Sequence, residues 1–105
     1  MTVVWGDEAR AYVREQVAKM SPLQAQRWVA KLEKAASRLE TFPYSGGILP
    51  EVPGLAARQI FVLQHRLIYF VGDEEVTIVT VRHTRESITE HPEPRPLSAV
   101  ADDDD

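Results

Sequence analysis

The chain has 105 residues, a net charge of −4 and a hydrophobic content of 44%, which is typical of one globular domain. The absence of cysteine excludes disulfides, thiolate metal sites and a cysteine nucleophile. Four terminal aspartates, residues 102–105, account for the net charge, so the rest is neutral and a poor match for nucleic-acid binding by charge alone. No apolar run reaches the ~18 residues of a membrane helix, and the N-terminus lacks the features of a signal peptide. We therefore expect a cytoplasmic protein, and no residue pattern indicates a cofactor.

The N-terminal half predicts a short strand followed by two helices. Residues 2–5 are apolar and suit an edge strand, and apolar residues then recur at helical spacing over residues 7–20. Ser21 and Pro22 are a good N-cap and a good first residue for a second helix, which we expect to end near residue 41. Because the link between the helices is short, they should form an antiparallel hairpin with one apolar face.

The C-terminal half predicts a three-stranded antiparallel meander after a loop at residues 44–55, which is rich in Gly and Pro. Three runs rich in Val, Ile, Phe and Tyr form the strands: residues 56–63, 66–71 and 76–83. We therefore predict an α+β fold in the order β-α-α-β-β-β, with an antiparallel helical hairpin packed on one face of a small antiparallel sheet. This domain should span residues 1–86, and the acidic, Pro-rich residues 87–105 should be a disordered tail.

Both faces of the predicted sheet contain apolar residues, although an antiparallel sheet normally has one solvated face. One helical hairpin covers only one face, so we expect a partner polypeptide to cover the other. If both hairpins have three-residue turns, Arg58, Arg66 and Arg82 form a basic cluster on one face. A slip of one residue would reverse a strand and break this grouping.

Several residues have a structural and a functional interpretation. His83 has the intrinsic pKa of a general base, but it shares a strand face with apolar residues, which favours a packed structural histidine. His65 falls in the predicted turn before the second strand of the meander and should be solvated. Trp5, Trp28 and Tyr69 should belong to the core, and the Tyr69 hydroxyl should find a hydrogen-bond partner.

An ordered set of short motifs over about residues 3–86 resembles the RelE/ParE superfamily of bacterial toxins from type II toxin–antitoxin systems. The matching pieces are Trp5; Ser21-Pro22 with Ala25; Leu39, Phe42 and Pro43 with Gly46-Gly47; Arg58; His65-Arg66-Leu67-Ile68-Tyr69; and Val81-Arg82-His83-Thr84-Arg85. The resemblance implies a RelE/ParE-like fold and a toxin that a cognate antitoxin binds and neutralises in a hetero-oligomer.

Members of the superfamily have one of two activities. RelE-like toxins cut mRNA in the ribosome, which needs an acid, a base and cations around the scissile phosphate. In this chain that site would comprise Arg66, His83 and Arg85, with the expected late aromatic residue falling near Glu90, beside His91. The predicted meander contains no lysine, because Lys34 is the last in the chain.

ParE-like toxins instead poison DNA gyrase, and the arginine pattern fits them better. The resemblance therefore favours a gyrase inhibitor without enzymatic activity of its own. It implies that four arginines contact the target or a partner: Arg58, Arg66, Arg82 and Arg85. Two alternatives stay open, a RelE-like mRNA endonuclease that acts with the ribosome, and an inactive homologue that only binds its antitoxin.

Overall fold

The computed structural model describes residues 1–51, 54 and 56–85. Its elements are β1 (Thr2–Trp5), α1 (Asp7–Val17), α2 (Pro22–Thr41), β2 (Gly47–Ile48), β3 (Arg58–Val62), β4 (His65–Val71) and β5 (Glu75–His83). The α+β prediction, with a helical hairpin followed by three strands, is confirmed. The predicted disordered tail lies outside the described residues.

Local signals explain the bounds of the helices. Ser21 caps α2 as predicted, since its Oγ accepts a hydrogen bond from the Gln24 amide at 3.2 Å, and Pro22 follows at the first helical position. The helix buries a stripe at helical spacing: Ala25, Trp28, Leu32, Ala36 and Leu39. Helix α1 ends at Val17 rather than at residue 20, and Gly6 is its N-cap. A Cβ at Gly6 would lie 3.1 Å from the carbonyl oxygen of Ile78, so the chain approaches β5 closely there.

The five strands form one mixed sheet in the order β1-β5-β4-β3-β2. The β3-β4-β5 meander is antiparallel as predicted, whereas β1 pairs in parallel with β5 at the edge of the sheet. Strand β2 lies at the opposite edge, within the segment predicted to be a loop, and pairs with only two residues of β3. A strand of two residues has no periodicity, which is why the sequence did not indicate it.

A β-bulge changes which residues of β5 share a face. Ile78 pairs with Tyr69 and Thr80 pairs with Ile68, so Val79 is an extra residue on β5. The bulge shifts the alternation by one. Consequently, Thr80 and Arg82 lie on the opposite face from Ile78, although strict alternation along β5 would place all three on one face.

The turn between β3 and β4 decides the faces of the arginines. It consists of Leu63, whose φ is +56°, and Gln64, so it begins earlier than predicted. With this register Arg58 pairs with Tyr69, on the side of the sheet that carries the helices, while Arg66 pairs directly with Arg82 on the other side. The predicted cluster of three arginines on one face is therefore wrong for Arg58.

The two faces of the sheet differ in what covers them. On the helix face, α1 and α2 pack over a continuous core whose fully buried sheet residues include Leu67, Tyr69, Ile78 and Val81. On the arginine face, which carries Arg66 and Arg82, a smaller cluster is formed by Leu49, Ala57 and Ile68. Two of those three come from the connection between α2 and β3. The expectation that only a partner covers this face is therefore wrong for this part of it.

Candidate functional site

Arg66 lies at the centre of the arginine face and is only 5% exposed. Its Nη2 donates to Glu51 Oε2 at 2.6 Å, and its Nη1 donates to Glu51 Oε1 at 3.2 Å and to Gln59 Oε1 at 2.9 Å. A two-point pair of this kind offsets part of the large cost of burying a guanidinium group. Arg66 therefore ties the connection before β3 to the middle of the sheet.

Arg82, the cross-strand neighbour of Arg66, is held by a different carboxylate. Its Nη2 donates to Glu8 Oε2 at 2.9 Å, and the Thr80 hydroxyl donates to the same oxygen at 2.8 Å. Glu8 belongs to the first turn of α1, so this contact fastens the start of that helix to β5. Like charges directly opposite one another in a sheet repel, and the separate carboxylates of Glu8 and Glu51 relieve that repulsion.

The two histidines form an aromatic cluster on the helix face. The His65 ring lies 5.3 Å from the His83 ring, 5.0 Å from Trp28 and 5.9 Å from Tyr12, measured between centroids. The prediction of a solvated His65 is wrong, because the turn ends one residue earlier and places His65 in β4 beneath the helices. His83 packs against this ring as a structural histidine would, and its Nδ1 accepts a hydrogen bond from the Arg85 amide at 3.2 Å.

Arg58 closes a hydrogen-bonded corner beside Tyr69. Its Nη1 donates to the carbonyl oxygen of Gly46 at 2.7 Å, and its guanidinium lies 5.1 Å from the centroid of the Tyr44 ring. The Tyr69 hydroxyl accepts a hydrogen bond from the Gly46 amide at 2.9 Å, which confirms its predicted core position with a polar partner.

The surroundings of Tyr69 in this corner shift the pKa of its phenol. Burial raises the pKa of Tyr69 above the usual 10.0, and three smaller influences lower it: the Gly46 hydrogen bond, the positive charge of Arg58 and a hydrogen bond with Ser45.

Trp28 belongs to the helix-face core as predicted, and Trp5 packs against that core with a partly buried side chain. Arg85, in contrast, is exposed just beyond the end of β5 and forms no ion pair with another described residue. Its side chain is the most accessible of the four arginines predicted to contact a target.

The structure separates two of the three predicted ribonuclease residues, Arg66 and His83. Arg66 pairs with Arg82, and His83 pairs with His65 one position along the strands, so the Arg66 and His83 side chains project from opposite faces of the sheet. Glu90 and His91, where the late aromatic was expected, lie outside the described residues. Within the described part of the chain, no group of His, Asp and Glu could hold a metal ion, and no helix is long and apolar enough to cross a membrane.

The β2–β3 edge presents the other accessible feature. Strand β2 covers only Arg58 and Gln59 of β3, so residues 60–62 have no further strand beside them in the described structure. The exposed apolar side chains here are those of Ile48 and Phe61. An open strand edge next to exposed apolar groups can accept a strand from another polypeptide.

Sequence reasoning missed the carboxylates that organise the arginine face. Glu51 falls in the predicted loop, and Glu8 is one of two acidic residues, with Asp7, in the first turn of a helix. An arginine in the middle of a strand does signal that a carboxylate must be close, but it does not say which one. Only the register and the path of the connection before β3 identify Glu51.

Comparisons with known proteins agree with this architecture. The family model for the ParE toxin of type II toxin–antitoxin systems, parDE, matches residues 3–88. Toxin RelE2 of Caulobacter vibrioides is 34% identical over 85 residues, an alignment that spans 77% of this chain and 92% of that relative. A chain from the structure of the chromosomal ParDE TA system of P. aeruginosa superposes with a TM-score of 0.63 at 21% identity, covering 79% of this chain and 95% of that one, which is a likeness of fold. The protein therefore belongs to the ParE family of toxins from type II toxin–antitoxin systems, within the RelE/ParE superfamily.

Proposed function

We propose that this toxin acts in the cytoplasm by inhibiting DNA gyrase, that it is not a nuclease, and that its cognate antitoxin neutralises it. The match to the ParE family over residues 3–88 supports this target. The name of the relative Toxin RelE2 is the reason to keep mRNA cleavage as the second candidate.

The observation that carries the proposal is the separation of Arg66 from His83. Cleavage by a 2′-hydroxyl needs the acid, the base and the cations within hydrogen-bonding distance of one phosphate. Arg66 faces the opposite side of the sheet from His83 and is engaged with Glu51 and Gln59. A ribonuclease built on these residues would have to break that ion pair and still reach across the sheet.

Different surfaces are proposed for the target and for the antitoxin. Arg85 is the proposed gyrase contact, because it is exposed while Arg66 and Arg82 hold the fold together. The antitoxin is proposed to add a strand at the β2–β3 edge, beside Arg58 and the exposed Phe61.

The test is a supercoiling assay with purified gyrase. We expect the full chain to inhibit supercoiling and to trap cleaved DNA. The change Arg85→Ala should weaken inhibition at least about tenfold, the usual scale for truncating an arginine that anchors an interface. Arg14→Ala, which removes an exposed arginine from α1, is the matched control and should leave inhibition unchanged.

The same preparation is then added to a translation reaction with ribosomes. Codon-phased cuts in the message, with supercoiling unaffected, would establish the RelE-like alternative. Expression in a bacterial host separates the third possibility: an SOS response supports gyrase inhibition, whereas normal growth with intact antitoxin binding would identify an inactive homologue.

A further inference from the structure

A groove of about 750 Å³ lies between the first half of α2 and the turn that joins β3 to β4. Leu23 and Trp28 line it from the helix, and Leu63 and Gln64 line it from the turn. Leu23 is 55% exposed and Leu63 is 64% exposed, so the groove offers apolar groups to whatever enters it. This groove shares no lining residue with the β2–β3 edge proposed for the antitoxin.

Two cations stand on the rim of this groove. Arg27 and Lys31 lie one helical turn apart on α2, and both are exposed. Neither forms an ion pair with a carboxylate in the described part of the chain. An occupant that combines apolar side chains with negative charge would match both the walls and the rim.

The chain carries such a segment at its own C-terminus. Residues 97–101 are Leu-Ser-Ala-Val-Ala, and the four aspartates of residues 102–105 follow directly. The sequence thus places apolar groups next to the strongest run of negative charge in the protein.

The path of the chain delivers this segment to the groove. The Thr84 amide donates to the carbonyl oxygen of Gln64 at 2.8 Å, so the chain leaves β5 beside a residue that lines the groove. Residues 86–105 can span roughly 65 Å when extended, whereas residues 22–31 of α2 cover only about 14 Å. A tether of this length keeps the segment at about millimolar effective concentration, which makes even a weak contact populated.

A residue of the groove lining, Trp28, also has a buried donor. Trp28 Nε1 is buried and has no hydrogen-bond partner among the described residues. A buried indole N–H is normally hydrogen-bonded, so an acceptor is expected from outside that set.

We propose that residues 86–105 dock back onto this groove in the same molecule, with Leu97 and Val100 against its apolar walls and the terminal aspartates against Arg27 and Lys31. The docked segment shields the groove of the free toxin, and a partner that uses the groove has to displace it. The inference does not depend on gyrase being the target.

The absence of cysteine makes a direct test simple, because one introduced cysteine takes a single spin label. A nitroxide on Ala101→Cys in the ¹⁵N-labelled full chain should broaden the amide signals of Leu23, Arg27 and Leu63. Adding Arg27→Glu and Lys31→Glu should reduce that broadening at least about threefold, as should 1 M salt, where the Debye length is about 3 Å. The matched control is Arg14→Glu with Lys34→Glu, two exposed cations outside the groove lining, which should leave the broadening unchanged.

Three outcomes would overturn the proposal. Broadening that is absent or spread evenly means that the segment does not dock. Broadening that survives the Arg27→Glu and Lys31→Glu changes means that the rim cations do not hold it. Broadening in a mixture of spin-labelled unenriched chain and label-free ¹⁵N chain means that a second copy fills the groove. Because gyrase is absent from this experiment, its failure and the failure of the proposed target are separate results.

Discussion

The two faces of the sheet are stabilised in different ways. The helix face is an apolar core in which two helices cover side chains such as Leu67 and Ile78. The arginine face has a small cluster around Ile68, and its remaining order comes from ion pairs with Glu8 and Glu51. One face depends on area removed from water, and the other on the mutual position of charges that are distant in sequence.

This difference indicates which face of so small a domain can rearrange when a partner binds. A continuous apolar core tolerates little rearrangement, because a change of one methylene is felt across it. On the arginine face, a small apolar cluster and a few polar contacts hold the connection before β3 and the start of α1 against the sheet. A partner that competes for Glu51 would break its ion pair with Arg66 without opening the main core, while Leu49 and Ala57 still hold the connection before β3.

The largest expected effect compares two neighbours on opposite faces. Leu67 and Ile68 are both completely buried. We expect Leu67→Ala to cost about 4 kcal/mol and Ile68→Ala about 2.5 kcal/mol, because the connection over Ile68 can collapse into the cavity whereas the helices over Leu67 cannot. Urea denaturation measures both, and Leu23→Ala, at an exposed site, should stay within about 0.5 kcal/mol. Equal costs at the two positions would show that the arginine face packs as rigidly as the helix face.

Gly46→Ala tests the corner where the helix face meets the β2–β3 edge. A Cβ at Gly46 would collide with the carbonyl oxygen of Gln59 and lie 2.7 Å from the Tyr69 hydroxyl, so we expect a loss of about 3 kcal/mol. Gly47→Ala is the matched control, because a Cβ there meets nothing within 4 Å. Thermal unfolding of the pair should therefore separate them clearly. Similar stabilities would mean that the corner is loose.

Glu51→Ala should cost about 2 kcal/mol, because it leaves the buried guanidinium of Arg66 without its carboxylate. Arg66→Met removes the charge while keeping an apolar stem and should cost less. If the pair acts as a unit, the double variant should be more stable than the sum of the single losses implies. Denaturant titration of the four proteins closes this cycle, with Glu33→Ala on the exposed side of α2 as the control. If the losses of the two single variants simply add in the double variant, Glu51 and Arg66 do not stabilise the arginine face as a pair.

Glu8→Gln should have a smaller effect, about 1 kcal/mol, since the Glu8 side chain is 41% exposed and solvent screens its pair with Arg82. Part of this loss comes from the helix dipole, which favours an anion in the first turn of α1. The loss should shrink at high salt. Glu15→Gln, at an exposed site further along α1, is the control. A loss independent of salt would mean that hydrogen bonding to Thr80, and not charge, holds this end of α1.

The sequence predicted the helices and the meander strands well and the sheet face of each arginine poorly, for a physical reason. Helical periodicity over residues 22–41 and the apolar runs of the meander are local signals, and they predicted α2 and the three strands. The face of each arginine depended instead on a bulge at Val79 and on a turn that begins at Leu63. Either feature moves the side chains that follow it to the opposite face of the sheet, and neither is visible in the hydrophobic pattern of the strand.

The histidines show the same limit at the candidate site. A shift of the turn by one residue moved His65 from solvent into the cluster with Trp28. Burial of this kind follows from the register, which the residue types alone do not determine. The motifs shared with the toxin family indicate which residues matter, but not which of them share a face.

The final prediction concerns the pH dependence of the helix face. Burial raises the folded-state pKa of Tyr69 above 10.0, while the unfolded chain titrates near that ordinary value. The protonated phenol therefore stabilises the folded state fully below about pH 10, and this contribution is lost as the pH rises through the folded pKa. Tyr69→Phe should cost about 1 kcal/mol at pH 7, because the Gly46 amide loses its acceptor. Above pH 10 the stability of Tyr69→Phe should fall less steeply than that of the parent.

Urea denaturation from pH 7 to pH 11 measures both effects, with Tyr44→Phe as the exposed control at pH 7. Parallel curves for parent and Tyr69→Phe would mean that the phenol reaches solvent without unfolding, and the corner beside Gly46 would then be a mobile edge of the helix face.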